Sequence, residues 1–179
     1  MSATTETGGH ALAARFGHAG CVLCGIENPW SLGLAFGPDD TGGVHAEILP
    51  DERLRGYDGM LHGGVAAALL DCAMTHCLFH RGVRAVTGDL RVRYPHPVPI
   101  GARLKLQAHV TDARPPLYRL KAELATDGEV RVWAQATFCR VAEEQVPARQ
   151  GKQPASAGTR SDGRRMPGRD PASKGKATA

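Results

Sequence analysis

The stretch Leu61–Phe79, LHGGVAAALLDCAMTHCLF, constrains this chain more than any other. Val65 to Leu70 is apolar throughout, and after Asp71 the run resumes through Ala73, Met74, Cys77, Leu78 and Phe79. That length makes about four turns of helix at roughly 3.6 residues per turn. Because it is apolar on nearly every side, it predicts a buried helix rather than a surface one. Two features interrupt it: the opening His62-Gly63-Gly64, and one carboxylate, Asp71, in the middle.

Asp71 shares its helical face with Ala67, Ala68, Met74 and Thr75, at the three- and four-residue spacings that bring side chains together. An unpaired carboxylate in such surroundings is costly, and carboxylates set against apolar walls recur at catalytic sites. The plainer alternatives are a helix edge facing solvent, or pairing with an Arg or Lys from elsewhere. At the helix start, free backbone N–H groups and the helix dipole favour negative charge. Gly63 and Gly64 let a ligand come close to the backbone. A carbonyl oxygen becoming an oxyanion is one such ligand; a plain Gly-rich turn into a helix is the other reading. Gly63 and Asp71 lie eight residues apart, roughly 12 Å along one helix. One small carbonyl cannot touch both. If both serve one site, one of them comes from a second chain, so the spacing predicts a dimer with composite sites.

On either side of the helix the period is two. Leu32, Leu34 and Phe36 alternate with small residues, Gly37–Gly43 reads as a turn, and Val44, Ala46 and Ile48 alternate again, which predicts a hairpin. A polar loop, 50–59, leads into the helix. Downstream, Gly88, Leu90, Val92 and Tyr94 form one face of a strand. Tyr94-Pro95-His96-Pro97-Val98-Pro99 must be extended. Leu104–Val110, Tyr118–Leu124 and Val130–Phe138 alternate in the same way, with an Asp-Gly turn at Asp127-Gly128. Two strands, one long buried helix and four half-apolar strands form a single core when a curved antiparallel sheet wraps the helix. The fold class is therefore α+β.

Together the motifs carry a resemblance. Cys21-Val22-Leu23-Cys24-Gly25 with Asn28-Pro29 and Leu32, His62-Gly63-Gly64 with Asp71, Ala85-Val86-Thr87, and Tyr94–Gly101 resemble the hotdog-fold acyl-CoA thioesterases of the phenylacetate-pathway (PaaI-like) type, over roughly 21–140. The resemblance implies a hotdog fold and hydrolysis of an acyl-CoA thioester to free acid and coenzyme A. It implies Asp71 as base or nucleophile, and the Gly63 amide polarising the carbonyl across a dimer interface. His62 would shape the turn, and Thr87 matches a Ser/Thr position that helps place the water. Gly64, Arg55, Gly56, Arg91, Arg93 and His96 are the candidate substrate contacts, the basic ones toward the coenzyme A phosphates. The chain also departs from the pattern. Relatives carry Asn at the position of Gly56, or Gln-Gly where this chain has Arg55-Gly56. Relatives often have Arg where this chain has His96. The expected assembly is a dimer or a tetramer of dimers, with no cofactor and no metal. A non-catalytic acyl-CoA binding protein on the same fold is the alternative. A hotdog hydratase would use an Asp-first helix motif, and a serine hydrolase a G-x-S-x-G elbow; neither is in the sequence.

Three domain segments are expected: a flexible lead-in over 1–16 with a short helix near Ala11–Phe16, the hotdog domain over 17–142, and a disordered basic tail over 143–179. The tail from Gln145 holds eight Lys or Arg and two Asp, so its charge of about +6 exceeds the +4 of the whole chain. The basic character belongs to the tail, and no nucleic-acid-binding motif accompanies it. No run has the length of a membrane span, and no secretory signal opens the chain. Five cysteines without an export signal fit reduced thiols in the cytoplasm. No second CxxC or close His pair follows Cys21 and Cys24, so that pair reads as structural rather than as part of a four-ligand zinc site. Cys72, Cys77 and Cys139 read as small hydrophobes, and His76 and His80 as polar residues at a helix end.

Overall fold

The computed structural model describes residues 3–142. The expected basic tail lies outside them. In chain order the elements are α1 (Ala3–Arg15), β1 (Gly37–Pro38), β2 (Val44–Ile48), a single 3-10 turn (Glu52–Leu54), α2 (Gly63–Phe79), β3 (Ala85–Arg93), β4 (Leu104–Arg114), β5 (Leu117–Thr126) and β6 (Glu129–Arg140). The strands form one antiparallel sheet in the order β1-β2-β4-β5-β6-β3. Helix α2 packs against β2, β3, β4, β5 and β6. This is the hotdog arrangement of a long helix against a curved antiparallel sheet.

The alternation in the sequence becomes the core directly. Leu104, Leu106 and Ala108 of β4, Tyr118, Leu120, Ala122 and Leu124 of β5, and Val132, Ala134, Ala136 and Phe138 of β6 are all buried. They meet Leu69, Leu70, Ala73, Met74 and Leu78 of α2 in one cluster. Irregularities in register between Thr87 and Asp89, between Val110 and Asp112, and between Leu124 and Ala125 bend the strands. At the β5–β6 turn both Asp127 and Gly128 take positive φ, 53° and 79°. This is the backbone an Asp-Gly hairpin turn requires.

Three expectations change. Leu32–Phe36 is not a strand, and β1 is only Gly37–Pro38. Leu34 and Phe36 are buried as their alternation implies, but the backbone pairs elsewhere. Leu32 N–H donates to the Val22 carbonyl and Leu34 N–H to the Leu23 carbonyl, both at 3.0 Å. The period of two reports burial, not sheet pairing. The N-terminal helix starts at Ala3 rather than near Ala11, and its Ala13 is buried in the core. Finally, β3 has no inner face like those of its neighbours. Leu90 and Val92 are half-buried, while Gly88 and Tyr94 are exposed. The strand is outermost in the sheet and is bonded only to β6.

Candidate active site

Helix α2 begins where the sequence predicts. His62 is the N-cap, with extended backbone, and its Nδ1 accepts the Gly64 N–H at 2.9 Å. The ring leaves no spare room: a Cβ on Gly64 would meet His62 at 3.1 Å, and one on Gly56 would meet the His62 Cα at 3.2 Å. So His62 shapes the turn, and two glycines make space for it. Gly63 is exposed at the first helical position, and its N–H has no hydrogen-bond partner among the described residues. It is one of the donors a helix start leaves free.

The sequence reads Tyr94 as the end of a strand face and the start of an extended connection. In the structure its hydroxyl donates to the Gly63 carbonyl at 3.0 Å. That bond ties the Pro-rich connection to the helix start, and Leu61 N–H to the Val98 carbonyl, at 2.8 Å, adds a second tie. The position of Tyr94 in the motif could have marked it; periodicity placed it on a strand face, but β3 ends at Arg93 and the bond to Gly63 left no pattern. Between these parts is an open, mostly apolar cavity of about 340 Å³, lined by Tyr57, Met60, Leu61, Gly63, Ala66, Tyr94, His96, Pro97, Val98 and Val132. Thus Gly63 and His96 share one cavity.

Asp71 is half-buried on α2 facing β3. Thr87 Oγ1 donates to its Oδ1 at 2.6 Å. No Arg, Lys or His pairs with Asp71 among the described residues, so its charge is held by a hydroxyl alone. Residues Asp71 and Thr87, sixteen apart in the chain, form one unit. Helix geometry puts this unit about 12 Å from the Gly63 N–H, and Asp71 does not line the cavity at Gly63. Within one chain the two halves stay apart.

The basic candidates scatter. Arg55 pairs with Glu52 at 3.2 Å and Asp58 at 3.5 Å. Arg91 pairs with Asp89 at 3.4 Å and lines a separate polar groove with Thr111, Arg119 and Gln135. His96 lies 3.2 Å from Glu129. Arg93 is exposed and reaches only its neighbour's carbonyl, that of Val92 at 3.3 Å.

One of the two histidines departs from its reading, and the CxxC gains neighbours from the helix. His76 is fully buried rather than a polar helix end, whereas His80 is the exposed C-cap. Cys24 is buried beside Cys72 and His76. A hydrogen bond from Cys72 pulls the Cys24 thiol down to about 2, with burial opposing it and the His18 and His76 rings assisting. Cys72 is correspondingly pushed up, first by that same bond and then by burial.

Comparison with known proteins bears on the fold. Residues 58–124 match the family model of the thioesterase superfamily. A solved thioesterase superfamily protein is 26% identical, with a TM-score of 0.61 over 64% of this chain; the chain spans 60% of that protein's length. A point mutant of the phenylacetic acid degradation protein PaaI from Thermus thermophilus is 25% identical, covering 62% of this chain and 95% of its own, with a TM-score of 0.55. Zebrafish thioesterase superfamily member 2 is 21% identical, covering 77% of this chain and 98% of its own, with a TM-score of 0.62. No curated protein matches the sequence. Motifs, architecture and comparisons converge: the chain has the hotdog fold, and its residues 58–124 match the thioesterase superfamily model.

Proposed function

We propose that this protein is an acyl-CoA thioesterase that works in the cytoplasm as a homodimer, or as a tetramer of dimers, with sites shared between subunits. The observation that carries the reading is the Asp71–Thr87 unit: a half-buried carboxylate free of any cationic partner among the described residues and oriented by one hydroxyl. Such a group can take a proton from water or attack a carbonyl itself.

The chemistry follows from the parts. The thioester carbonyl oxygen rests at the helix start, where the Gly63 N–H of one subunit and the helix dipole stabilise the developing negative charge. Asp71 of the other subunit takes a proton from a water molecule as that water's oxygen bonds to the carbonyl carbon. The C–S bond then breaks, and the proton passes to the departing thiolate of coenzyme A. Thr87 keeps the carboxylate aimed. His62 and Gly64 set the turn, with Gly56 making room beneath it. The acyl group enters the apolar cavity bounded by Tyr57, Met60 and Val98. Of the basic candidates, Arg93 is the one without an acidic partner among the described residues and so the best placed for phosphate; Arg55, Arg91 and His96 would first have to release theirs.

Two further observations support the assembly and the ligand. Strand β3 is a nine-residue outer strand with a half-apolar, exposed surface that includes Val86, and such an edge invites pairing with another chain. A protein from Streptococcus mutans with this fold, 16% identical over 61% of this chain and 89% of its own and with a TM-score of 0.57, was solved bound to acetyl CoA. Among the described residues no helix is long and apolar enough to cross a membrane.

The test is thiol release from short-chain, medium-chain and aryl acyl-CoAs by wild type, Asp71→Ala and Asp71→Asn, with light scattering for the assembly. Release by wild type and its loss in both variants is expected. A wild type that binds these esters but releases no thiol would move the reading to a binding protein. A monomer at working concentration would remove the shared site.

A further inference from the structure

The segment between α1 and β1 packs along the second half of α2. Phe16 stacks on Phe79 at 4.6 Å between ring centres, and Phe36 on His76 at 4.5 Å. This packing gathers five metal-binding side chains that the sequence scatters over nearly sixty positions. The ligand atoms of Cys24, Cys72 and His76 lie within 4.8 Å of one another, and those of His18, Cys21 and Cys24 form a second group within the same limit. Cys24 belongs to both. We propose that this cluster is a structural zinc site, with Cys21, Cys24, Cys72 and His76 as its ligands.

His76 points to a ligand most directly. It is 0% exposed, and neither ring nitrogen has a hydrogen-bond partner among the described residues. A buried imidazole whose nitrogens lack a hydrogen-bond partner is costly; a metal ion would take up one of them. Cys72 stands four residues earlier, on the same face of the helix and 4% exposed, so α2 offers a thiol and an imidazole side by side from a rigid element.

The loop Cys21-Val22-Leu23-Cys24-Gly25 supplies the other two ligands. Leu23 N–H donates to the Cys21 Sγ at 3.4 Å, an amide-to-sulfur bond that favours a thiolate there. Gly25 N–H closes the turn on the Cys21 carbonyl at 2.9 Å. The turn is too tight for a side chain at Gly25, where a Cβ would collide with the backbone of Ala19 and Cys21. The other candidate, His18, sits 3.7 Å from the Cys24 Sγ through its Nδ1, with its ring edge-on to Phe79 at 4.8 Å. We assign the fourth position to Cys21 because its sulfur is the one oriented by an amide.

The dimensions of the buried trio Cys24, Cys72 and His76 fit zinc. Tetrahedral coordination at about 2.3 Å to sulfur and 2.0–2.1 Å to nitrogen spaces ligand atoms about 3.5–3.8 Å apart. Closing the buried trio onto an ion therefore takes a contraction of about 1.3 Å at most from its 4.8 Å limit. Three soft thiolates and an imidazole select zinc over magnesium, calcium or manganese. Binding releases the protons still held by the three thiols to solvent and leaves the site with one net negative charge. The ion would clamp the CxxC loop to α2 one residue past Asp71, and so hold the helix turn that presents the carboxylate.

The experiment is metal analysis of the full chain, expressed in zinc-supplemented medium and purified without chelator. About one zinc per chain is expected. Replacement by Co²⁺ should give the thiolate-to-cobalt absorption in the near ultraviolet and the intense visible bands of a tetrahedral site. Cys21→Ser, Cys24→Ser and Cys72→Ser should lose these signals, whereas His18→Gln and Cys139→Ser should keep them. Should the buried variants fail to fold, the wild type still decides the matter. Chains purified without metal and taking up no Co²⁺ with thiolate absorption overturn the proposal. So does an intact mass lower by two hydrogens, which marks a disulfide. Loss in His18→Gln with retention in Cys21→Ser overturns the fourth ligand. None of these readouts uses thioester hydrolysis, so they stand apart from the proposed activity.

Discussion

Asp71 and Cys72 are consecutive residues about 100° apart around one helix, and their surroundings differ in kind. Asp71 is half-buried beside an exposed outer strand, with Thr87 as its hydrogen-bond partner. Cys72 points into a sealed contact made by Cys24, Phe36 and His76. A polar group on the open side keeps access to water and substrate, so it can do chemistry. One on the sealed side has to be matched from within, because no solvent reaches it. On the proposed reading, the same apolar helix carries a reactive face and a fastening face.

The comparison can be broken by exchanging the expected effects of the two faces. Phe36→Ala opens the sealed side beneath His76. It should lower stability by about 3–5 kcal/mol, the usual range for a buried Phe, read as a shift in denaturant midpoint at unchanged slope. A loss under about 1 kcal/mol would mean that the contact is not a fastening at all. Asp71→Asn should do the reverse. Turnover should fall by two or more orders of magnitude, about 2.7 kcal/mol or more of barrier, while the midpoint stays close to wild type. A large drop in stability instead would make Asp71 a structural carboxylate.

Smaller changes sharpen the picture on the open side. Thr87→Val removes the hydroxyl that holds Asp71. Hydrogen bonds to charged groups contribute about 1.5–3 kcal/mol, and the exposure of Thr87 places it at the low end, so roughly a tenfold loss in kcat is expected. An unchanged kcat would show that the carboxylate needs no orienting. Tyr94→Phe removes the hydroxyl from the Gly63 carbonyl and should cost about 1 kcal/mol. It should appear as a modest rise in KM or fall in kcat, measured beside Thr87→Val so that the two ends of the site can be told apart.

Much of the fold is legible in the chain before any tertiary contact is known. The apolar run of α2 and the alternation in β4, β5 and β6 each specify a buried face, and only one core satisfies them all. The Asp-Gly turn sits where its φ angles demand. Pattern misleads where it is read for more than it contains. Leu32–Phe36 alternates because Leu34 and Phe36 are buried, but burial does not say which backbone it pairs with. β3 alternates too, yet at the sheet edge its inner residues Leu90 and Val92 are only half-buried. The Tyr94–Gly63 bond leaves no trace in periodicity, since neither residue sits inside a strand.

The sequence by itself determined most of the elements, the central helix with its carboxylate and its glycine start, and the distance between them along the helix. Those are local properties: side-chain polarity, backbone freedom and rise per residue act within a few positions. Only the tertiary structure decided who meets whom. It brought Thr87 to Asp71 and Tyr94 to Gly63, left Arg91 on a different surface, and set Cys24 against Cys72 and His76 across forty-eight residues or more. Spacing along the chain is silent about such meetings, because the packing of a shared core, not proximity in sequence, sets the distances between its walls.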